Sequence, residues 1–376
     1  MLMAPGLPAR RRFFAWGPSV RPVTPPTRVS FALTLPFVAE AMYSPATMPT
    51  SKRFSILPGF LAILFALGTL FFTGSGSAKK SHHGSLFFLT IGGRGTGGGR
   101  VSSVNDDGTG LKVLISGQTA GPDGIAVDTA TRKIYWTNMG RPSANDGTIE
   151  SSDLDGDNVT TVVPSGGAWT PKQLKLDAKH GKLYWSDREG MRIMRANLDG
   201  SDIETLVETA QGDAARKDAR NWCVGIALDV EGGKVYWTQK GSGGNGRIFR
   251  ANLDIPKGED AAHRTDIETL FDQLPEPIDM DLDLANRMMY WSDRGDPPRG
   301  NNISRAPMDP KKGEQQILVG GLKEGIGMAL DLRDKRMFYT DLGGNVYGAN
   351  MDGTDAKVLL SGQGALTGIT WVDLGN

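Results

Sequence analysis

One five-residue phrase, written six times, is the feature that most limits how this 376-residue chain can fold. The phrase contains an apolar residue, two aromatics and, in five of its copies, a Thr or Ser followed by a polar residue. The copies lie at residues 134–138, 183–187, 235–239, 289–293, 337–341 and, in altered form, 86–90. They recur about every 50 residues, a period typical of architectures in which each repeat buries its apolar face against the next.

Each full copy belongs to a longer unit with three more apolar stretches. An Asp-terminated stretch precedes it at residues 124–128, 173–177, 225–229, 279–283 and 327–331. A third stretch follows at residues 151–156, 195–200, 250–254, 305–309 and 348–353, and a fourth lies beyond it. Four short runs separated by Asp-Gly and other Gly-rich turns predict four antiparallel strands. The expected fold class is therefore all-β.

The two ends of the repeat region complement each other. The copy at 86–90 has no Asp-terminated stretch before it, whereas residues 366–373 form such a stretch with no aromatic pair after it. If the last strand completes the first unit, six four-stranded blades close into a ring and no large edge stays unpaired. The sequence thus predicts a six-bladed β-propeller, with its C-terminal strand in the first blade.

The repeats Tyr-Trp-Thr/Ser-Asp, with Arg-Ala-Asn-Leu-Asp-Gly tails such as residues 195–200, resemble the YWTD propeller of the low-density lipoprotein receptor family. The resemblance covers residues 85–376 and implies a standalone binding propeller. It is weakest at residues 86–90, and Asn138 and Gln239 replace the motif Asp in two copies. The Cys-rich modules that flank such propellers in receptors are not in this sequence, in which Cys223 is the single cysteine.

The first 80 residues differ in composition from the repeats. They carry nine Lys and Arg against one acid, Glu40, although the whole chain is formally neutral. Residues 1–47 are interpreted as a disordered or mispredicted extension, and 79–84 as a linker. Residues 48–78 contain Lys52-Arg53, an apolar run at 56–72 and small residues up to Ala78, which is typical of a signal peptide. A membrane anchor formed by 56–72 is the alternative.

Export is consistent with two glycosylation sequons, at Asn158 and Asn302. We therefore expect a secreted, monomeric glycoprotein, or a single-pass protein with its propeller outside if the anchor is retained. The mildly acidic repeat region has no basic stripe, which argues against nucleic acid as a partner.

Residues just before each Asp-terminated strand, and just after each aromatic strand, should surround one mouth of the central channel. This places Asp123, Trp169, Lys172, Trp222, Glu276 and Glu324 there, with Arg188 and Arg294 from the second set. Ligands of propellers commonly bind at such a mouth, so these residues form the predicted ligand-binding face.

Two interpretations of these charges remain open. Asp123, Glu276 and Glu324 could converge on a hard cation such as calcium, as in lactonase-type hydrolases, or they could pair with Lys and Arg. The basic residues could likewise form a rim for an acidic partner, or pair with acids of neighbouring blades, including the motif acids Asp187, Asp293 and Asp341. No complete catalytic set can be assembled from the aligned loops.

The resulting prediction is an exported module that binds a protein or another ligand without a cofactor. The alternatives are a calcium-dependent hydrolase or lactonase, and a structural protein of the wall or matrix. The residues do not identify the ligand.

Overall fold

The computed structural model describes residues 84–92, 97–311 and 313–375. The predictions for residues 1–47 and 48–78, and for all but the last residue of the 79–84 linker, lie outside the described residues. The described part forms six separate four-stranded antiparallel sheets, which confirms the all-β, six-bladed propeller. None of its helices is long and apolar enough to cross a bilayer.

The first three blades contain twelve strands, in order from the channel outwards within each blade. Blade 1 contains β24 (Leu366–Val372), β1 (Ser85–Thr90), β2 (Gly99–Asn105) and β3 (Lys112–Gln118). Blade 2 contains β4 (Pro122–Asp128), β5 (Lys133–Asn138), β6 (Gly147–Asp153) and β7 (Thr160–Ala168). Blade 3 contains β8 (Pro171–Asp177), β9 (Lys182–Asp187), β10 (Arg192–Asn197) and β11 (Glu204–Glu208).

The other three blades follow the same order. Blade 4 contains β12 (Cys223–Asp229), β13 (Lys234–Gln239), β14 (Gly246–Asn252) and β15 (Glu268–Leu274). Blade 5 contains β16 (Pro277–Asp283), β17 (Met288–Asp293), β18 (Asn302–Pro307) and β19 (Gln316–Gly320). Blade 6 contains β20 (Gly325–Asp331), β21 (Arg336–Asp341), β22 (Val346–Asn350) and β23 (Lys357–Leu360). Between blades 3 and 4 lie helix α1 (Gly212–Arg216) and a 3₁₀ helix (Ala219–Asn221).

The two motif aromatics build the apolar cores between blades. Tyr135 of blade 2 packs with Trp185 of blade 3, and Tyr184 packs with Trp237 of blade 4. The same pairing of first aromatic with the next blade's second aromatic continues around the ring to Phe87 and Trp136. Successive side chains of a strand point to opposite faces, so one aromatic pair serves two cores.

The motif hydroxyl joins the innermost strands of neighbouring blades. Thr238 Oγ1 accepts a hydrogen bond from Gly225 N (2.8 Å) and donates one to Ile278 O of blade 5 (2.7 Å). The hydroxyls of residues 137, 186, 292 and 340 likewise donate to the next blade. Blade 1 has Leu89 at this position, and Thr367 of its inner strand donates to Pro122 O instead (3.0 Å).

The inner strands approach each other so closely that four of them need glycine at the same position, the third residue of each strand. A Cβ on Gly225 would lie 2.1 Å from Ile278 O, and Cβ atoms on residues 124, 327 and 368 would meet the next blade's backbone equally closely. The repeated Gly-Ile-Ala-Leu-Asp phrase is therefore a requirement of packing around the axis.

Ring closure occurs as predicted. β24 pairs antiparallel with β1 from Ser85↔Val372 to Thr90↔Leu366. Thr90 Oγ1 donates to Gln363 O, 273 residues away, and Trp371 Nε1 lies 3.4 Å from Asp106 Oδ2. The last strand of the propeller thus supplies the innermost strand of its first blade.

The expectation that the motif acids pair between blades is wrong. Asp187 accepts hydrogen bonds from Trp169 N and Thr170 N, in the loop leading to its own blade's inner strand. Asp293 accepts from Glu276 N, also within its own blade. A carboxylate at this position satisfies backbone donors of a turn that no strand can pair.

Candidate functional site

Backbone hydrogen bonds place the two predicted sets of loops on one end of the ring. The residue after each motif donates to the residue before the inner strand, as in Arg188 N to Thr170 O and Lys240 N to Trp222 O. The same bond links residue 294 to 276 and residue 342 to 324. We call this end the mouth face, and the end carrying the Asp-Gly turns the opposite face.

At the centre of the mouth face, polar residues line one side of the channel and apolar residues line the other. Lys172 Nζ forms an ion pair with Asp123, and Gln173 Nε2 lies 3.3 Å from the other oxygen of that carboxylate. Both charged side chains are buried, and burial lowers the pKa of Lys172 to about 8 while Asp123 opposes the shift. The other side of the channel is closed by Val224, Ile278 and Ile326.

Trp222 lies beside this centre with two cations near its ring. The Arg188 guanidinium lies 5.0 Å from the ring centroid and Lys240 Nζ lies 5.5 Å from it, within the range of cation–π attraction. Arg188 is oriented by two hydrogen bonds to Glu189, one of 2.8 Å from its Nε. Trp222 is itself fixed by its Nε1, which donates to Arg216 O (2.8 Å).

Four charged side chains continue from Trp222 across blades 4 to 6. Lys240 lies 2.7 Å from Glu276, which lies 3.3 Å from Arg294, and Arg294 lies 2.6 Å from Glu324. Three of them, Glu276, Arg294 and Glu324, border an open groove of about 610 Å³, which is also lined by Pro297, Pro298 and Arg299. We define the mouth cluster as residues 188, 222, 240, 276, 294 and 324.

The long segment before Trp222 is folded and anchored to the mouth. Arg216, at the end of α1, stacks its guanidinium 3.5 Å from the ring centroid of Trp169 and donates to Glu189 O. Trp169 therefore serves this anchor rather than the mouth cluster. The contributions of Arg216 and Glu189 are not visible in the sequence, because both lie in loops without a repeated pattern.

The three acids of the calcium interpretation do not converge. Asp123 is held by Lys172 and Gln173 in the channel, whereas Glu276 and Glu324 share Arg294 on the rim. Within the described ranges, no group of three or more His, Cys, Asp or Glu side chains could hold a metal ion. The pairing alternative accounts for all three carboxylates, because each already has a cation beside it.

The structure distinguishes the two sequons. Asn302 is 1% exposed within β18, where its Nδ2 donates to Arg299 O (2.6 Å) and its Oδ1 accepts from Ser304 Oγ (2.8 Å). A glycan at Asn302 has no room in this fold, so that expectation is corrected. Asn158 lies exposed in the turn before β7 and remains a candidate for modification.

Deeper in the channel, the inner strands of blades 3 and 5 carry charged residues where the other inner strands have glycine or a neutral residue. Asp279 replaces the glycine of blade 5, and Asp281 two residues on lies 3.7 Å from Lys175 of blade 3. Asp279 accepts hydrogen bonds from Met280 N and Met328 N. Burial raises the pKa of Asp279 to about 7, with Lys175 opposing the shift. The departure from Gly-x-Ala-x-Asp is a signal in the sequence that could have identified this cluster.

The raised pKa of Asp279 gives a prediction for stability against pH. Between about pH 4 and pH 7 the folded state holds a proton that an ordinary unfolded Asp has lost, so the stability it contributes falls as pH rises. Asp279→Asn cannot titrate at this position. The free energy of urea unfolding of the variant minus that of wild type should therefore increase from pH 5 to pH 8. The variant loses a backbone hydrogen bond at every pH, so the slope is diagnostic, and a flat difference profile would contradict the assignment. Asp296→Asn, at an exposed loop position, is the control.

Comparison with known proteins identifies the family. The sequence matches no protein-family profile. It is 47% identical over 215 residues to low-density lipoprotein receptor-related protein 1 of Pyricularia oryzae, covering 55% of this chain and 68% of that relative. The chain belongs to the low-density lipoprotein receptor-related protein family.

Two further proteins are similar to this low-density lipoprotein receptor-related propeller, one in sequence and one in structure. It is 41% identical over 215 residues to the 3-hydroxyacyl-CoA dehydrogenase-like protein LAM1 of Cochliobolus heterostrophus, covering 56% of this chain but 45% of that longer relative. Among solved structures, a chain of a nidogen/laminin complex matches with a TM-score of 0.60 at 20% identity, covering 77% of this chain and 98% of that one. The second match shows the shared fold.

Proposed function

We propose that this protein is an exported interaction module that binds a protein partner through the mouth cluster. The observation that carries the proposal is Trp222, which is half-buried on the mouth face, has two cations near its ring and is anchored by its indole N–H. Trp and Arg held in this way are the side chains that most often dominate binding energy at protein interfaces. The similar propeller from the nidogen/laminin structure belongs to a protein complex, which supports a protein partner for this fold.

The charges of the cluster favour a partner with an acidic segment. Burial lowers the pKa of Lys240, and Arg294 and Arg188 add to the shift while Glu276 opposes it. Arg188 and Arg294 therefore repel Lys240 at the mouth, although each cation also has an acid beside it, with Glu276 lying between Lys240 and Arg294. A carboxylate from a partner would relieve that repulsion, and placing it in a partly desolvated groove would give specificity as well as attraction.

The experiment is photo-crosslinking of the full chain with a benzoylphenylalanine placed on either face. Arg299 is exposed beside the mouth cluster, and Lys179 is exposed on the opposite face. With proteins of the culture medium, we expect a discrete adduct from position 299 and none from position 179. Trp222→Ala should weaken binding of the captured partner by about 2 kcal/mol, roughly 30-fold.

The matched control is Arg220→Ala, which changes an exposed side chain of the same segment that pairs with Asp218. It should leave the affinity unchanged, and thermal unfolding of both variants would establish that they fold. Equal adducts from the two faces, or an adduct unaffected by Trp222→Ala, would count against the mouth face. Export is tested separately, by finding a mature N-terminus at Lys79 in the medium.

A further inference from the structure

In each of blades 3, 4 and 5, three side chains from adjacent strands form a row across the blade, toward the opposite face of the ring. The strand registers align Tyr184 with Arg195 and Glu204, Tyr236 with Arg250 and Glu268, and Tyr290 with Arg305 and Gln316. In all three rows the arginine reaches into the next blade. Arg195 lies 3.1 Å from Asp254, Arg250 lies 2.7 Å from Asp309, and Arg305 donates to Met351 O (3.0 Å). The arginine therefore crosses the junction between blades and joins them.

Blades 1, 2 and 6 lack this row, because their registers place Ser103, Ser151 and Gly348 at the arginine position. The same registers align Phe87 with Ser103 and Lys112, so a serine stands at the arginine position and a lysine at the acid position. A groove of about 600 Å³ also lies between blades 5 and 6, beside Arg305. Between blades 1 and 2 the groove has a volume of about 660 Å³, and Ser103 lines it in place of an arginine. Its volume lies in the range of small-molecule sites, which are typically about 300–1,000 Å³.

The lining of this groove combines an apolar floor with an excess of positive charge. Phe87, Leu114, Leu154 and Leu374 contribute the apolar surface. Three charged side chains line it, namely Lys112, Arg132 and Asp155. In the described part of the chain, neither Lys112 nor Arg132 has a carboxylate within 4.0 Å or a side-chain hydrogen bond. Asp155 accepts a hydrogen bond from Asp157 N.

We propose that the groove binds an apolar carboxylate, such as a medium-chain fatty acid. The acyl chain lies on the leucines and Phe87, and the carboxylate lies between Lys112 and Arg132. Burial of the chain provides the free energy of binding, and the two cations select the charged end. This site is separate from the mouth cluster, because it lies at the other end of the strands.

Decanoate is the probe, titrated calorimetrically below its micelle-forming concentration into the full chain. Decan-1-ol and acetate separate the contributions of chain and charge, and both should bind at least tenfold more weakly. Arg132→Gln should weaken decanoate binding tenfold or more. Lys335→Gln is the matched control, since Lys335 holds the equivalent turn position of blade 6, with φ of 53° against 56° for Arg132.

The decisive variant restores the repeat. Ser103→Arg with Lys112→Glu rebuilds the row seen in blade 3, and the new arginine should reach Asp155, fill the groove, abolish decanoate binding and raise the unfolding temperature. If this double variant does not fold, Lys112→Gln replaces it and should also weaken binding tenfold. Unchanged binding in the folded variants, equal losses in Arg132→Gln and Lys335→Gln, or no binding at millimolar decanoate would overturn the proposal. Tighter binding of an acidic leucine-rich peptide would also overturn it, by assigning the groove to a protein segment.

Discussion

Deletion of residues 366–376 is expected to abolish the cooperative unfolding transition of the propeller. The deletion removes β24, leaves β1 without its inner partner and opens the ring. Leu366, Ile369 and Val372 are all buried, and each would lose about 1.5–3 kcal/mol of burial energy. Together these losses approach the free energy of unfolding of a whole domain, which is about 5–15 kcal/mol. Circular dichroism during thermal unfolding would measure the transition.

The control is a rearranged chain that keeps the residues of β24 but joins them to the start of the first blade. Placing residues 366–373 before residue 84, joined by a short turn like that between β4 and β5, recreates the connectivity of the other blades. This variant should regain a sharp transition near that of wild type. A cooperative transition in the simple deletion would mean that the ring does not depend on its last strand.

Gly225→Val is expected to prevent folding or to lower the unfolding temperature by more than any surface substitution. The added Cβ would stand 2.1 Å from Ile278 O and 2.8 Å from Thr238 Oγ1, the hydroxyl that joins blades 4 and 5. Backbone of a neighbouring inner strand cannot move aside without disturbing the ring, so the clash is not relieved locally. Overpacking of this kind typically costs about 1–3 kcal/mol, and a backbone clash more.

Gly320→Val is the matched control. It makes the same chemical change at the end of an outer strand, where an added Cβ meets no atom within 4 Å. Urea unfolding should show it within about 0.5 kcal/mol of wild type. Similar losses in the two variants would contradict the packing explanation for the repeated glycine.

The architecture was predictable because its determinants are local and repeated. The aromatic pair and the Asp-terminated strand recur in each unit, and an Asp-Gly turn recurs in four of the six, so blade number and closure follow from counting. The motif acids were misassigned for a related reason: residues such as Asp187 and Asp293 recur like core positions, yet both accept hydrogen bonds from backbone N–H groups of their own blade. Asp187 also pairs with Arg192 of the same blade. Backbone donors leave no trace in a sequence.

The candidate site was predictable in position but not in its pairing. Strand ends place Asp123, Glu276 and Glu324 on one face, whereas the side-chain partner of each depends on loop conformation. Trp169 shows the limit, since its partner Arg216 lies on a short helix that no periodic pattern marks. Asn302 failed as a glycosylation site because a sequon carries no information about burial.

The pairing of β24 with β1 has a consequence for the order of events during synthesis. The first blade leaves the ribosome early with its inner edge unpaired, while the strand that covers this edge is made last. Nascent chains with exposed strand edges are prone to association, and contacts of such long sequence separation form slowly. The newly made chain should therefore depend on chaperones until β24 has been made, and a ribosome stalled before residue 366 should display a protease-sensitive first blade.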